Sequence, residues 1–347
     1  MLYDVLNGLQ PSDKNEMARA QKRWDAIAKP LKGMGLMEDY IVKIAGIDPK
    51  IDISKKCVAV MCADNGVVAE GVTQTGSEVT AIVAQNIVKG RATVSNMSKV
   101  AGADVFVFDV GMNTTVGNGV VDKKLAMGTQ NFAKVSAMTR QQAEKAIETG
   151  IEIVKELKDK GYRIIASGEM GIGNTTTSSA ITSVLLDVDP QVVTGRGAGL
   201  SKEGICRKSQ VIKDAVSLHK PDKNDPIDVL QKVGGYDIAA MCGLFIGGAY
   251  YKLPIIIDGL ISSVAALVAY RLSPCTKDYM LASHMSAEPA ADMILKELGL
   301  KAPLMCGMAL GEGTGAVSIM PLLDMTVAVF KNMPTFDDAA IEEYKPL

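Results

Sequence analysis

Residues 163–186 read RIIASGEMGIGNTTTSSAITSVLL and pass from an apolar run, through a glycine-rich turn, into a longer segment. The run at 163–166 is short and contains two adjacent isoleucines, which predicts a buried strand. The segment 176–186 is long enough for a helix. A strand joined to a helix by a tight turn is one half of a β–α–β unit, in which the strands run parallel.

The same alternation extends over most of the chain. Four further apolar runs predict strands at 57–62, 104–109, 254–257 and 279–282. The other predicted helices span 13–28, 77–101, 139–160, 202–219, 236–250, 262–272 and 316–330. Apolar strands that alternate with helices are typical of a parallel sheet covered by helices on both faces, so we predict an α/β fold.

Composition excludes several classes of protein. The chain has 347 residues, of which 48% are hydrophobic and 22% charged, and its formal net charge is −2. These values indicate a globular protein with one large domain or two unequal ones. No basic patch and no uncharged apolar stretch of about 18 residues is visible, so we expect neither nucleic acid nor a membrane as a partner. The mixed polar sequence at the N-terminus is unlike a signal peptide, and we expect a cytoplasmic protein that acts on a small molecule.

Histidine and cysteine usage restricts the chemistry further. The two histidines, His219 and His284, and six scattered cysteines without a CxxC pair offer no metal site. His284 follows an apolar run and is expected to be a hydrogen-bonded structural residue. Proton transfer must therefore come mainly from carboxylates, Lys, Tyr or one His.

The glycine-rich turn 168–176 is the strongest candidate for ligand binding, because ligands of parallel sheets bind at the carboxyl ends of strands. Gly171 and Gly173 let backbone N–H groups approach an anion. Asn174, Thr175 and Thr176 can cap the following helix, whose N-terminus favours a phosphate. Asn174 stands where a nucleotide-binding P-loop needs Lys, and the glycines do not have the GxGxxG spacing. A turn whose glycines serve only backbone geometry is an equally open reading.

Two more glycine-rich turns precede predicted helices. The turn TGRGAGL at 194–200 contains Gly195 and Gly197 and is either a structural turn or a source of further phosphate donors. Lys208, in the next helix, either adds positive charge or is solvated. GEGTG at 311–315 places Glu312 between glycines, as a helix-capping residue or as an exposed general base.

Six motifs taken together resemble one enzyme family. They are MCADNGVVAEGV at 61–72, GEMGIGNTT at 168–176, VGGYDIAAM at 233–241, DGLISS at 258–263, SHMSAEP at 283–289 and LGEGTGA at 310–316. In this order they are similar to the nicotinate-nucleotide–dimethylbenzimidazole phosphoribosyltransferases, and the resemblance runs from about residue 17 to residue 336.

This resemblance implies both an activity and an architecture. Members of the family move ribose 5-phosphate from nicotinate mononucleotide to a base such as 5,6-dimethylbenzimidazole, which yields nicotinate and the nucleotide of a cobamide lower ligand. The implied fold is a large Rossmann-like domain, here 46–330, with a small helical domain built from both chain ends, here 1–45 and 331–347. The resemblance further implies a dimer and the use of no metal or other cofactor.

The resemblance also assigns roles to residues of the motifs. Glu312 is expected to be the general base, and Glu169 a second carboxylate that holds the ribose hydroxyls or supports an oxocarbenium charge. The 5′-phosphate is expected at two turns, one with Gly171, Gly173, Asn174, Thr175 and Thr176 and the other with Gly195 and Gly197. Lys208 and Ser286 are expected as further ligands of the phosphate. Attack opposite the leaving group inverts C1′.

The acceptor end departs from the family pattern. Thr75 replaces a small Ser, and Val83 stands where some relatives use a Gln to bind the far nitrogen of benzimidazole, with Gln85 two residues on. An apolar Val83 suits a phenol, because a buried unpaired nitrogen costs about 1–3 kcal/mol. Val83→Gln is then expected to shift preference toward dimethylbenzimidazole about tenfold. Some relatives that use phenol or p-cresol pair with a related chain, so we expect either a homodimer or such a heterodimer.

Two other functions compete with an active transferase. The first is a non-catalytic partner subunit, which would be marked by loss of the carboxylates, but Glu169 and Glu312 are both present. The second is a generic nucleotide-binding protein such as a Rossmann dehydrogenase, against which the missing GxGxxG argues.

Overall fold

A single parallel sheet forms the centre of the protein. The computed structural model describes residues 1–344. The strands are β1 Lys56–Ala63, β2 Ala103–Gly111, β3 Val120–Asp122, β4 Ile164–Met170, β5 Ile255–Ile257 and β6 Met280–Ala282. Their order across the sheet is β3-β2-β1-β4-β5-β6, and all pairs are parallel. This is the strand order of the Rossmann fold, so the α/β prediction is confirmed.

Helices connect the strands and cover the sheet. They are α1 Leu2–Gly8, α2 Lys14–Ala26, α3 Leu36–Ile47, α4 Glu78–Val88, α5 Thr93–Ala101, α6 Arg140–Asp159, α7 Asn174–Leu185, α8 Pro190–Val193, α9 Lys202–His219, α10 Pro226–Val233, α11 Tyr236–Tyr251, α12 Leu260–Leu272, α13 Ala291–Leu298, α14 Thr314–Asn332 and α15 Phe336–Ala339. Two short 3₁₀ helices, Gly66–Glu70 and Pro274–Tyr279, complete the set found in residues 1–344.

The core has two halves, one on each face of the sheet. Side chains of β1 alternate between them: Cys57, Ala59 and Met61 belong to one half, and Val58 and Val60 to the other. Helices α6, α7, α11 and α12 pack on the first face, and α3, α4, α5 and α14 pack on the second. Because both faces are covered, the strands are apolar on both sides, which explains the continuous apolar runs in the sequence.

Helices α8, α10 and α13 were not predicted. Two further differences from the sequence prediction have a physical reason. The predicted helix 77–101 is two helices, α4 and α5, because Gly90 adopts a φ of +73° after α4 and breaks the periodic segment. Strand β3 was not predicted, because its three residues are only partly buried and end in an aspartate, so they form no continuous apolar run.

The chain ends pack in two places. Helices α2 and α3 contact each other, and Trp24 of α2 meets Phe330 of α14 edge-on at 5.0 Å. Helix α1 packs instead against α6 and α11, with Leu2 and Val5 in the first half of the core. Helix α3 ends at Ile47, two residues beyond the predicted boundary at 45. The division into a small and a large domain stays a prediction. Residues 345–347 of the predicted small domain lie outside the described residues.

One helix of residues 1–344, α14, is long and apolar enough by composition to cross a membrane. Its Ala316, Ile319, Met320 and Leu323 are fully buried in the second half of the core. Packing within the protein therefore accounts for its apolar face.

Candidate active site

A cleft opens at the carboxyl edge of the sheet, where β4 and β5 end and where α7 and α14 begin. This is the edge at which ligands of open parallel sheets bind. Glycine-rich backbone, carboxylates and apolar side chains line it: residues 72–75, 169–175, 196–198, Leu200, 258–262, His284, Ser286, Glu288 and 309–312.

Glu169 lies at the end of β4 in a group of buried carboxylates. The side-chain amide of Asn174 donates to Glu169 Oε2 and, at 3.0 Å, to Asp237 Oδ2. Burial, together with the neighbouring Asp237 and Asp258, raises the pKa of Glu169 to about 8, although the amide of Asn174 and the backbone N–H of Glu312 oppose the shift. Burial likewise raises the pKa of Asp237 to about 6. Three carboxyl groups held together out of water favour at least one bound proton.

Glu312 lies opposite Glu169 on a strained loop. Its φ is +60°, between Gly311 at +87° and Gly313 at +94°, a conformation that costs energy for a residue with a Cβ. The loop packs directly on β4: a methyl group at Gly168 would lie 2.6 Å from the carbonyl oxygen of Glu312. This close approach of two backbones brings the two predicted catalytic carboxylates to one cleft.

Asp258 fixes the other side of the same loop. It follows β5 and is buried, and it accepts backbone N–H groups from Gly313 at 3.1 Å, Gly315 at 2.7 Å and Ala316 at 3.0 Å. Burial raises the pKa of Asp258 to about 6, although these N–H groups oppose the shift. The carboxylate thus binds the N-terminus of α14 immediately after Glu312.

A buried lysine, Lys208, lies behind the cleft wall that Thr175 and Gly197 form. Lys208 is only 1% exposed and donates to Thr175 Oγ1 at 2.7 Å, so it is not the solvated residue that its helix position allowed. Burial lowers the pKa of Lys208 to about 8, although the nearby Glu288 opposes this shift. Glu288 also accepts the N–H of Gly197 at 3.1 Å. An ammonium paired with a neutral hydroxyl here would gain from a bound anion.

The structure brings most of the predicted site residues together. The cleft wall includes Glu169, Gly171, Gly173, Asn174, Thr175, Gly197, Ser286, Glu312 and Thr75. Thr176 is buried beneath the wall in α7, and Gly195 packs against the carboxylate of Glu288.

Two of the predicted base-binding residues lie elsewhere. Val83 lies on α4 and packs, partly buried, against the second half of the core. Gln85 donates to the carbonyl of Gly117 at 3.2 Å on an exposed surface. Neither is among the residues that line the cleft.

Several cleft residues carry no role assigned from the sequence. Asp258 and His284 both follow strands, β5 and β6, so their position at the carboxyl edge was the available signal. His284 is buried, packs against Gly315 of α14, and has a pKa lowered by burial. Glu288 and Gln74 are brought to the cleft by loops, for which the sequence carries no periodic signal.

Comparison with known proteins identifies the family. A model of the phosphoribosyltransferase family DBI_PRT matches residues 9–341. A nicotinate-nucleotide–dimethylbenzimidazole phosphoribosyltransferase from Clostridium acetobutylicum is 46% identical over 349 residues, covering 100% of this chain and 99% of that protein. The chain belongs to the nicotinate-nucleotide–dimethylbenzimidazole phosphoribosyltransferase family.

Other relatives agree with this assignment. A protein of the same name from Acetivibrio thermocellus is 46% identical, covering 100% of this chain and 99% of its own. The crystal structure of the Thermus thermophilus nicotinate-nucleotide–dimethylbenzimidazole phosphoribosyltransferase is 35% identical with a TM-score of 0.89, covering 96% of this chain and 100% of that one. The predicted family and fold class are therefore confirmed, and the chain is a phosphoribosyltransferase.

Proposed function

We propose that this phosphoribosyltransferase moves ribose 5-phosphate from nicotinate mononucleotide to an aromatic base, 5,6-dimethylbenzimidazole or a relative of it, for the lower ligand of a cobamide. One observation carries the proposal: Glu312 and Glu169 line the same cleft, at the edge of the sheet where ligands bind. The names of the relatives support the donor and the acceptor class.

The charge distribution in the cleft supports one orientation of nicotinate mononucleotide. The hydroxyl of Thr175 and the first turn of α7 form the end of the cleft that suits the 5′-phosphate, and Lys208 lies behind this wall and donates to Thr175 Oγ1. Ser286 lies on the same wall. Glu288 competes for the N–H of Gly197, so the incoming phosphate displaces this carboxylate or binds beside it.

The reaction needs one base and a site that tolerates positive charge. The bond between C1′ and the pyridinium nitrogen breaks, and its electron pair leaves with nicotinate, so no acid is required. The acceptor nitrogen forms the new bond to C1′ from the opposite face, which inverts that carbon, and its proton passes to Glu312. Glu169 lies where it can support the oxocarbenium charge or hold the ribose hydroxyls.

The acceptor is an aromatic ring in the preferred proposal. Met170, Leu200, Leu260 and Leu310 give the cleft an apolar wall that suits such a ring, and Thr75 adds a hydroxyl. A phenol such as p-cresol is the alternative acceptor, with Glu312 taking the phenol proton. Incubation with nicotinate mononucleotide and a panel of benzimidazoles, purines and phenols, followed by mass analysis of the products, distinguishes them.

We further propose a cytoplasmic protein that works as a homodimer, or as a heterodimer with a related chain if the acceptor is a phenol. Light scattering of the purified chain, alone and mixed with a paralogue from the same organism, tests the assembly. A monomeric chain with full turnover would refute it.

The decisive experiment for the reaction is Glu312→Gln. We expect turnover with dimethylbenzimidazole to fall by roughly 10²-fold or more, the scale of general-base catalysis. Binding of nicotinate mononucleotide should change little, because the amide keeps the size of the side chain. Glu203→Gln, on the exposed start of α9, is the matched control. Turnover near the parental value in the Glu312 variant would remove this residue from the role.

A further inference from the structure

The first turn of α5 has an unusual acceptor for its backbone N–H groups. A helix begins with N–H groups that lack partners within the helix, and a polar residue at the N-cap position normally accepts one. The N-cap of α5 is Ala92, in extended conformation at φ −83° and ψ 169°, and it has no side-chain acceptor. Asp13 and Asp225, at the starts of α2 and α10, accept the N–H two residues on.

Glu312 takes the place of this missing cap from 218 residues away. Its Oε2 accepts the N–H of Val94, the second residue of α5, at 3.1 Å. Val94 is fully buried, so this N–H has no access to bulk water as an alternative partner. The bond is also assisted by the positive end of the helix dipole. Within residues 1–344 no hydrogen bond occupies Oε1, while Glu312 itself lines the cleft.

The contact defines how the carboxylate is presented. The backbone of Glu312 is held at φ +60° by the glycines beside it and by Asp258 after it. A side chain on such a loop keeps its own rotational freedom unless something binds its far end. The N–H of Val94 binds one oxygen, so the remaining oxygen is the one available to a proton in the cleft.

We propose that the first turn of α5 positions the general base, and that Ala92 controls this through the lack of a polar side chain. Val94 and Ala92 are positioning residues, which act on the reaction only through Glu312. The inference rests on the proposed function, because it presumes that Glu312 removes the acceptor proton. An Asn or Asp at 92 would accept the N–H of Val94 itself, as Asp13 and Asp225 do in their helices, and would release Glu312.

The test compares Ala92→Asn with Ala92→Gly. Both residues are suitable at an N-cap, but only Asn offers a side-chain acceptor. We expect Ala92→Asn to lower kcat about tenfold while KM for nicotinate mononucleotide stays within about twofold, and Ala92→Gly to stay within about twofold in both. The melting temperature of Ala92→Asn should be equal to or above the parental value, because α5 keeps a capped N-terminus.

A double-substitution cycle separates positioning from general structural damage. In the Glu312→Gln background, Ala92→Asn should cause no further loss of kcat. Equal kcat in the Asn and Gly variants would overturn the inference, and so would a tenfold loss that persists in the Gln background. Parental turnover of Glu312→Gln alone would instead overturn the general-base assignment, so the two failures are distinguishable.

Discussion

Asp258→Asn changes the contact that holds the loop of the proposed general base. Asn keeps one acceptor oxygen, which can retain the bonds from Gly315 and Ala316 to Oδ1. The bond from Gly313 to Oδ2 is lost, because an NH₂ group then faces an N–H group. Gly313 follows Glu312 directly, so this loss acts at the peptide next to the base.

The expected magnitudes differ between stability and turnover. Losing one hydrogen bond to a carboxylate costs about 1.5–3 kcal/mol. Removing the buried charge returns a similar amount, roughly 3 kcal/mol at neutral pH, because burial raises the pKa of Asp258 to about 6. The net change in the free energy of unfolding should therefore stay below about 2 kcal/mol. Turnover is more sensitive, since a displacement of about 1 Å of a reacting group costs about 10²-fold.

The assay measures kcat and KM with nicotinate mononucleotide and dimethylbenzimidazole, together with urea unfolding. We expect kcat to fall between about 10- and 100-fold, with KM for the donor within about threefold. Asp13→Asn, which caps α2 far from the cleft, is the matched control and should leave both constants unchanged. A parental kcat for Asp258→Asn would show that the hydrogen bond between Asp258 and the N–H of Gly313 does not position Glu312.

Three further predictions concern other parts of the cleft. Lys208→Met should raise KM for nicotinate mononucleotide about 10- to 100-fold. It should leave kcat and KM unchanged for nicotinate riboside, which lacks the phosphate. Equal effects on both donors would place the phosphate elsewhere. Burial raises the pKa of Glu169 to about 8, so the folded state binds more protons than the unfolded state between about pH 4.5 and 8, and stability falls as pH rises through this range. Glu169→Gln should reduce this loss, measured by urea unfolding at about pH 5 and about pH 9. An equal loss of stability in the parental protein and the variant would refute the shift. Val83→Gln should leave the ratio of kcat/KM for dimethylbenzimidazole over p-cresol within about twofold of the parental ratio, because Val83 does not line the cleft. Thr75→Val, which changes a residue of the cleft wall, should change the ratio about threefold or more. A tenfold rise for Val83→Gln would return Val83 to the acceptor site.

The parallel sheet could be predicted because its strands are buried on both faces. The five predicted strands lie at β1, β2, β4, β5 and β6, and each apolar run overlaps its strand. Chemistry at the carboxyl edge followed from the same rule, whereas the resemblance to the family is what placed Glu169 and Glu312 in one site although they lie far apart in the chain. The strand order follows from the long-range pairing of strands, which periodicity does not report.

What the sequence did not predict depends on contacts between distant segments. The bond between Glu312 and the N–H of Val94 joins two segments that no motif links. Asp258 was recognised only as the first residue of the motif DGLISS, since its three N–H partners belong to the loop before α14 and to the start of that helix. The burial of Lys208 likewise depends on how α9 packs against α7. The positions of Val83 and Gln85 relative to the cleft depend on the orientation of α4, which motif matching leaves open.

The separation of charges in the cleft bears on how catalysis is achieved in the proposed reaction. Nicotinate mononucleotide carries an anionic phosphate and a cationic pyridinium ring, and a site that bound both equally in ground and transition states would not accelerate the reaction. As the glycosidic bond breaks, positive charge moves from the ring toward C1′ of the ribose. Carboxylates help the transition state only if they lie closer to the ribose than to the ring. Glu169 meets this condition in the proposed orientation, because Asn174 ties it to the same turn that leads through Thr175 to Lys208 and the phosphate end. Its pKa in the free cleft is raised to about 8, and positive charge at C1′ favours its ionised form. The ribose, bonded to that phosphate, then lies beside Glu169, and the departing ring lies farther along the cleft.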